Sequence, residues 1–151
     1  MVCEDYRLDL RRGVTKMYES ITKLLPRLMD SSFGIWHVDT EHKGTEEEPI
    51  QMPFFEYDCT VNELRKAIYD FVDDHEEMKL SKYREILEAY GIEWTAESME
   101  NANVSSLDGK CVMALMVGTL RGDRFCKGIF LRFLKAGVVT RWIERLKEID
   151  E

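Results

Sequence analysis

"SLDGKCVMALMVGTLRGDRFCKGIFLRFLKAGVVTRWIERLKEID", residues 106–150, is the stretch that decides the fold. Val112, Leu115, Met116, Thr119 and Leu120 recur at three- and four-residue steps, the spacing of one helix face, and Cys111, Met113 and Ala114 widen it. A second pattern follows in Phe125, Ile129, Phe130, Phe133 and Leu134, and it predicts that Phe125, Phe130 and Phe133 or Leu134 lie in the core. Gly137 with the apolar Val138 behind it has the composition of a Schellman ending. Thr140 then reads as the cap of a last helix carrying Trp142, Ile143, Leu146 and Ile149. Three helices so closely joined predict a helical unit packed on itself.

Working back from Ser106, "IEWTAESMENANVS" reads as a loop with one helical turn around 98–101. Before it, Tyr83, Ile86, Leu87 and Tyr90 keep the helical spacing and Gly91 stops them; Ser81 caps or interrupts this helix. Thr60 followed by Glu63 has the form of a capping box, ahead of a stripe of Val61, Leu64, Ala67, Ile68, Phe71 and Val72. Still earlier, "SFGIWHV" at 32–38 predicts a short extended segment. A long connection with Gly44, Pro49 and Pro53 follows, unusual in a small domain unless it carries function or moves. From Val14 to Met29 the apolar spacing is helical again, and Pro26 should bend or end that helix near Leu25. Residues 1–12 are polar and expected to fray.

The chain has 151 residues, 44% hydrophobic and 33% charged, which suits one globular domain over 1–151. "MVCEDYRLDL" has no leader pattern, and the longest apolar run, "VMALMVG", falls far short of the ~20 residues that span a bilayer. A soluble, cytoplasmic protein is expected. Cys3, Cys59, Cys111 and Cys126 match no C-x-x-C pattern, so reduced thiols, most of them buried, are the default. Net charge is −8, with 18 acids against 6 bases over 39–100 and 9 bases against 3 acids over 107–147. The negative total opposes nucleic acid. The basic part is expected to pack beside the acidic middle, in the same chain or a partner's.

"GIWHVD", "KGTEEEPIQMPFFEY", "SKYREILEAYGIEW", "NANVSSLDGKCVMALMVGTLRGDRFCKG" and "WIERLKEID" resemble a family of small prokaryotic proteins classed as a domain of unknown function. The resemblance rests on the motif R-x-[DE]-R-F-C-x-G, matched by Arg121, Asp123, Arg124, Phe125, Cys126 and Gly128. It runs from about Tyr18 to Ile149 and so implies one domain. Lys127 stands where the family pattern has an acidic residue, which makes this helix start more positive. The resemblance implies no activity and no cofactor.

"RGDRFCKG" at 121–128 also carries the candidate chemistry. An Arg-Gly-Asp adhesion loop requires a secreted chain. A Cys126 nucleophile would gain from Arg121, Arg124 and Lys127, which lower a thiol's pKa, but it needs a base, and His37, His42 and His75 stand in no nucleophile motif. His37, His42 and Cys59 match no zinc spacing, so no metal site is assigned. Arg121 and Arg124 at i, i+3 suit bidentate contact with carboxylates from the acidic segment, a small anionic ligand or a partner's acidic tail. Asp123 suits capping of the next helix. Trp36, Met52, Phe54, Phe55 and Tyr57 surround the long loop; they either seal the end of the bundle or line a groove.

The sequence therefore predicts a mainly α fold of five or six helices in one domain, with at most a small β-hairpin or extended pair near 33–57. Two functions remain open. One is a non-enzymatic binding or interaction protein, with a homodimer among its forms, that uses Arg121, Arg124 and the aromatic loop. The other is an enzyme with Cys126 as nucleophile or Asp123 as acid/base.

Overall fold

The computed structural model describes residues 16–52, 54–126 and 128–151. Two short helices, α1 (Glu19–Thr22) and α2 (Leu25–Met29), lead into the strands β1 (Gly34–His37) and β2 (Phe54–Tyr57). Helix α3 (Cys59–Asp74), two 3-10 turns, α4 (Tyr83–Ala89) and α5 (Ala96–Glu100) follow. A third 3-10 turn precedes α6 (Gly109–Gly122), α7 (Ile129–Lys135) and α8 (Val138–Asp150). The fold is mainly α with one small two-stranded antiparallel sheet. Among the described residues no helix is long and apolar enough to cross a membrane. The expected fraying of 1–12 and the environments of Cys3 and Lys127 fall outside the described residues.

Helix α6 is the axis of the molecule. Every residue from Cys111 to Leu120 is buried, so the stripe read from the sequence extends round the whole circumference. A helix without a polar face must be enclosed by neighbours. Helices α3, α4, α7 and α8 supply that enclosure. Thr119, the polar residue inside it, donates its hydroxyl to the Leu115 carbonyl at 2.8 Å. Phe130 and Phe133 of α7 are fully buried, and Phe133 meets Trp142 of α8 edge-to-face at 5.7 Å. Phe125 does not join them. It is 82% exposed, because α6 ends at Gly122 and the turn over 123–128 breaks the period before α7 resumes it at Ile129. The thiols need a similar correction: Cys111 is buried, but Cys59 and Cys126 are exposed.

Several helix ends lie where a better cap sits. Asp58, rather than Thr60, caps α3, its Oδ1 accepting from Val61 N–H at 2.9 Å. Glu63 makes no capping box and takes Arg27 instead, at 2.6 Å. Asp108 caps α6 through Cys111 N–H at 2.9 Å. Gly91 closes α4 with both Schellman bonds, Gly91 N–H to Glu88 and Ile92 N–H to Leu87, each 2.9 Å, at a φ of 76° that favours glycine. Helix α8 begins at Val138 directly after Gly137, leaving Thr140 inside its first turn rather than capping it. Pro26 occupies the first turn of α2, where its missing N–H costs no hydrogen bond.

The two ends of the described chain meet. Met17 and Tyr18 N–H donate to the Asp150 carboxylate at 3.1 and 2.9 Å. The Tyr18 ring stacks on Phe71 at 5.3 Å, and its hydroxyl occupies the space a β-carbon on Gly109 would need. The basic C-terminal part does lie beside the acidic middle. Arg132 pairs with Glu100 at 2.7 Å and Arg141 reaches the Glu100 carbonyl at 3.2 Å. Arg145 clasps the Leu107 carbonyl with two nitrogens, at 3.1 and 3.0 Å.

Candidate functional site

The site is built from the hairpin arm and the corner between α6 and α7. At the root of the arm, Ser31 donates its hydroxyl to Asp58 and accepts from Phe33 N–H at 2.8 Å. Asp58 therefore clamps the arm with one oxygen while capping α3 with the other. Gly34, at a φ of 150°, is required here: a β-carbon would strike the Glu56 carbonyl and the Phe55 ring.

From that root the strands pair Gly34 with Tyr57, Ile35 with Glu56, Trp36 with Phe55 and His37 with Phe54. Because side chains alternate, Trp36, Phe55 and Tyr57 share one face. Their rings meet edge-on in series, Trp36 to Phe55 at 5.4 Å, Phe55 to Tyr57 at 5.1 Å and Tyr57 to the buried Phe130 at 6.0 Å. This aromatic chain ties the arm to the core. On the opposite face His37 stacks on Phe54 at 4.7 Å and contacts the Glu56 carboxylate at 2.8 Å.

Beyond the strands Asp39 organises the connection. Its carboxylate accepts from the N–H groups of Glu41, His42 and Gln51 at 3.0, 3.1 and 2.7 Å, and takes the His42 ring at 2.7 Å. These donors, Gln51 N–H foremost, hold its carboxyl well below the usual carboxylate range. The arm is thus built, yet its apolar groups lack cover. Ile35, Trp36, Val38, Ile50, Met52 and Phe54 are between 47% and 80% exposed.

At the corner, Asp123 Oδ1 accepts from Gly128 N–H at 3.0 Å and from Phe130 N–H at 3.3 Å, so it caps α7 from across the turn. Tyr57 lies beside it. The Tyr57 hydroxyl is pushed up to about 12, first by burial and then by the charge of Asp123, with Arg65 over the ring at 5.3 Å acting the other way. Arg121 and Arg124 do not form the expected ion pairs among the described residues: Arg121 lies over the Tyr69 ring at 5.7 Å and Arg124 is exposed. The exposed Phe125 meets the edge of Trp94 at 6.3 Å. Trp94 donates its indole N–H to the Gly118 carbonyl at 2.9 Å, and Arg84 covers its ring at 4.8 Å.

The fold therefore brings Tyr57 and Asp123 together, sets Arg121, Arg124 and Cys126 around the same corner, and leaves Trp36 out on the arm. Sequence reasoning missed Asp39, Arg84 and Trp94. Asp39 opens the loop as an Asx residue ahead of the Gly/Pro breakers, a usable turn signal. Trp94 stands in no periodic pattern. The one trace of its seat is the Gly118–Gly122 pair on α6, whose bare backbone lets the indole lie against the helix.

The family model described as "Family of unknown function (DUF6508)" matches residues 15–151. The chain belongs to that family. No curated protein and no solved structure matches it.

Cys126 is a free, exposed thiol at this corner. The three histidines are engaged elsewhere, His37 with Glu56, His42 with Asp39 and His75 with the Phe71 carbonyl. Among the described residues no group of three or more His, Cys, Asp or Glu is placed to hold a metal ion. What the arrangement offers is contact area: exposed aromatic and aliphatic side chains on a braced scaffold, rimmed by charge.

Proposed function

We propose that the domain is a non-enzymatic interaction module whose contact surface is the hairpin arm, continued onto the α6–α7 corner. The observation that carries this reading is the aromatic chain from Phe130 through Tyr57 and Phe55 to Trp36, which begins in the core and ends in solvent. Aromatic residues held rigidly at a surface lose little entropy on binding and supply much of an interface's energy. An apolar patch of this kind on a rigid arm marks a protein contact more readily than a catalytic cleft. Glu41, Glu46, Glu47, Glu48 and Glu56 are exposed along the arm, so the surface it meets is apolar with a basic rim.

The alternative of an enzyme with Cys126 as nucleophile or Asp123 as acid/base has less support. Asp123 already accepts two main-chain amides with its Oδ1, so that oxygen is committed to capping α7. The free thiols of Cys59, Cys111 and Cys126 favour a reducing, cytoplasmic setting.

A photo-crosslinking residue in place of Met52, used in the native cell, tests the proposal. A discrete protein adduct is expected that is absent when the probe replaces exposed Glu88, and that is lost on adding Trp36→Ser. Adducts identical at positions 52 and 88, or unchanged by Trp36→Ser, would overturn it.

A further inference from the structure

The arm and the corner carry opposite charge and complementary chemistry on one end of the same molecule. The exposed Phe125 meets Trp94, whose ring Arg84 covers, and the exposed Arg124 precedes Phe125 in the chain. The positions 39–56 of the arm hold six carboxylates against the single Lys43. Tyr57, at the root of the arm, packs on Phe130 of α7, so the arm starts beside the corner. A surface whose acidic, apolar half adjoins a basic, aromatic half is self-complementary about a two-fold axis: each half of one copy faces the other half of its mate.

Resting on the reading of the arm as an interaction surface, we propose that its occupant is a second copy of this chain: in a two-fold dimer each arm lies across the Trp94–Phe125 corner of the other copy. Met52 and Phe54 of the arm cover Phe125 and Trp94, and the Glu46–Glu48 run lies toward Arg84 and Arg124.

Sedimentation of the purified full chain over a wide concentration range is the test. The parent is expected to show a monomer–dimer equilibrium that weakens with salt. Met52→Ser on the arm and Arg124→Glu on the corner should each raise the dimer's dissociation constant at least tenfold. Both residues are exposed, and circular dichroism checks that the variants remain folded. Glu46→Lys with Glu48→Lys should weaken the dimer similarly, and combining that pair with Arg84→Glu and Arg124→Glu should restore it. A parent that stays monomeric, or a dimer that Met52→Ser weakens but Arg124→Glu leaves alone, overturns this arrangement. Neither result touches the interaction reading itself, which a specific Met52 adduct to a different protein would sustain. A monomeric parent with no such adduct sinks both.

Discussion

Asp123 and Phe130 are joined across the α6–α7 turn, the Asp123 carboxylate accepting the Phe130 N–H at 3.3 Å and the Gly128 N–H at 3.0 Å. The bond lets a buried helix with no room for polar groups end, turn and begin again without stranding the first donors of α7. Asp123→Ala removes this cap and should cost about 0.5–2 kcal/mol. Denaturant melts that place the variant level with the parent would remove the structural role.

Aromatic residues eight positions or fewer apart should behave differently. Phe130→Ala and Phe133→Ala empty fully buried sites and should each cost about 3–5 kcal/mol. Phe125→Ala, at an exposed site, should stay within about 0.5 kcal/mol. Equal losses at 125 and 133 in the same melts would contradict the placement of the turn.

The three described thiols should separate cleanly under alkylation. Burial, with Asp108 adding to it, pushes the Cys111 thiol up to about 12, so its thiolate is scarce at neutral pH and its sulfur is covered. Mass-mapped labelling of native protein at pH 8 should therefore modify Cys59 and Cys126 and spare Cys111 until denaturant is added. Early labelling of Cys111 would mean that α6 opens far more readily than its burial implies.

The arm should withstand mild acid. Asp39 has its carboxyl depressed in the folded chain, so its contribution is present above the ordinary carboxylate pKa and is lost as pH falls through the depressed one. Amide exchange at Glu41, His42 and Gln51 should stay slow at pH 4, relative to unstructured peptide, and quicken only well below the usual carboxylate range. Asp39→Ala should quicken it at every pH. Unchanged protection in Asp39→Ala would show that other contacts hold the loop.

Local patterns carried most of the fold. The apolar spacing located α3, α4 and α6–α8, and Gly91 and Gly137 marked real ends because only the left-handed backbone they favour closes those helices. Phe125 misled because a turn can interrupt a helical period without any change in residue type. Thr60 misled because a capping box competes with every nearby acceptor, and Asp58 was the better one, already held by Ser31. The site was less legible. Tyr57 and Asp123 could be named singly, but their meeting depends on how β2 is carried onto α7. Trp94 finds its place through a carbonyl on α6, 24 residues away, which no local pattern encodes.

The most direct measurement of the central claim compares hydroxyl-radical footprinting of the arm in dilute purified protein and in living cells. Met52 and Trp36 are expected to oxidise readily in the purified protein and to be protected in the cell, where the arm is covered. Met29, exposed at the end of α2 and outside the arm, should oxidise alike in both and serves as the internal standard. Met52 oxidising as fast in the cell as in the tube, with Met29 unchanged, would contradict the claim that the arm is a contact surface.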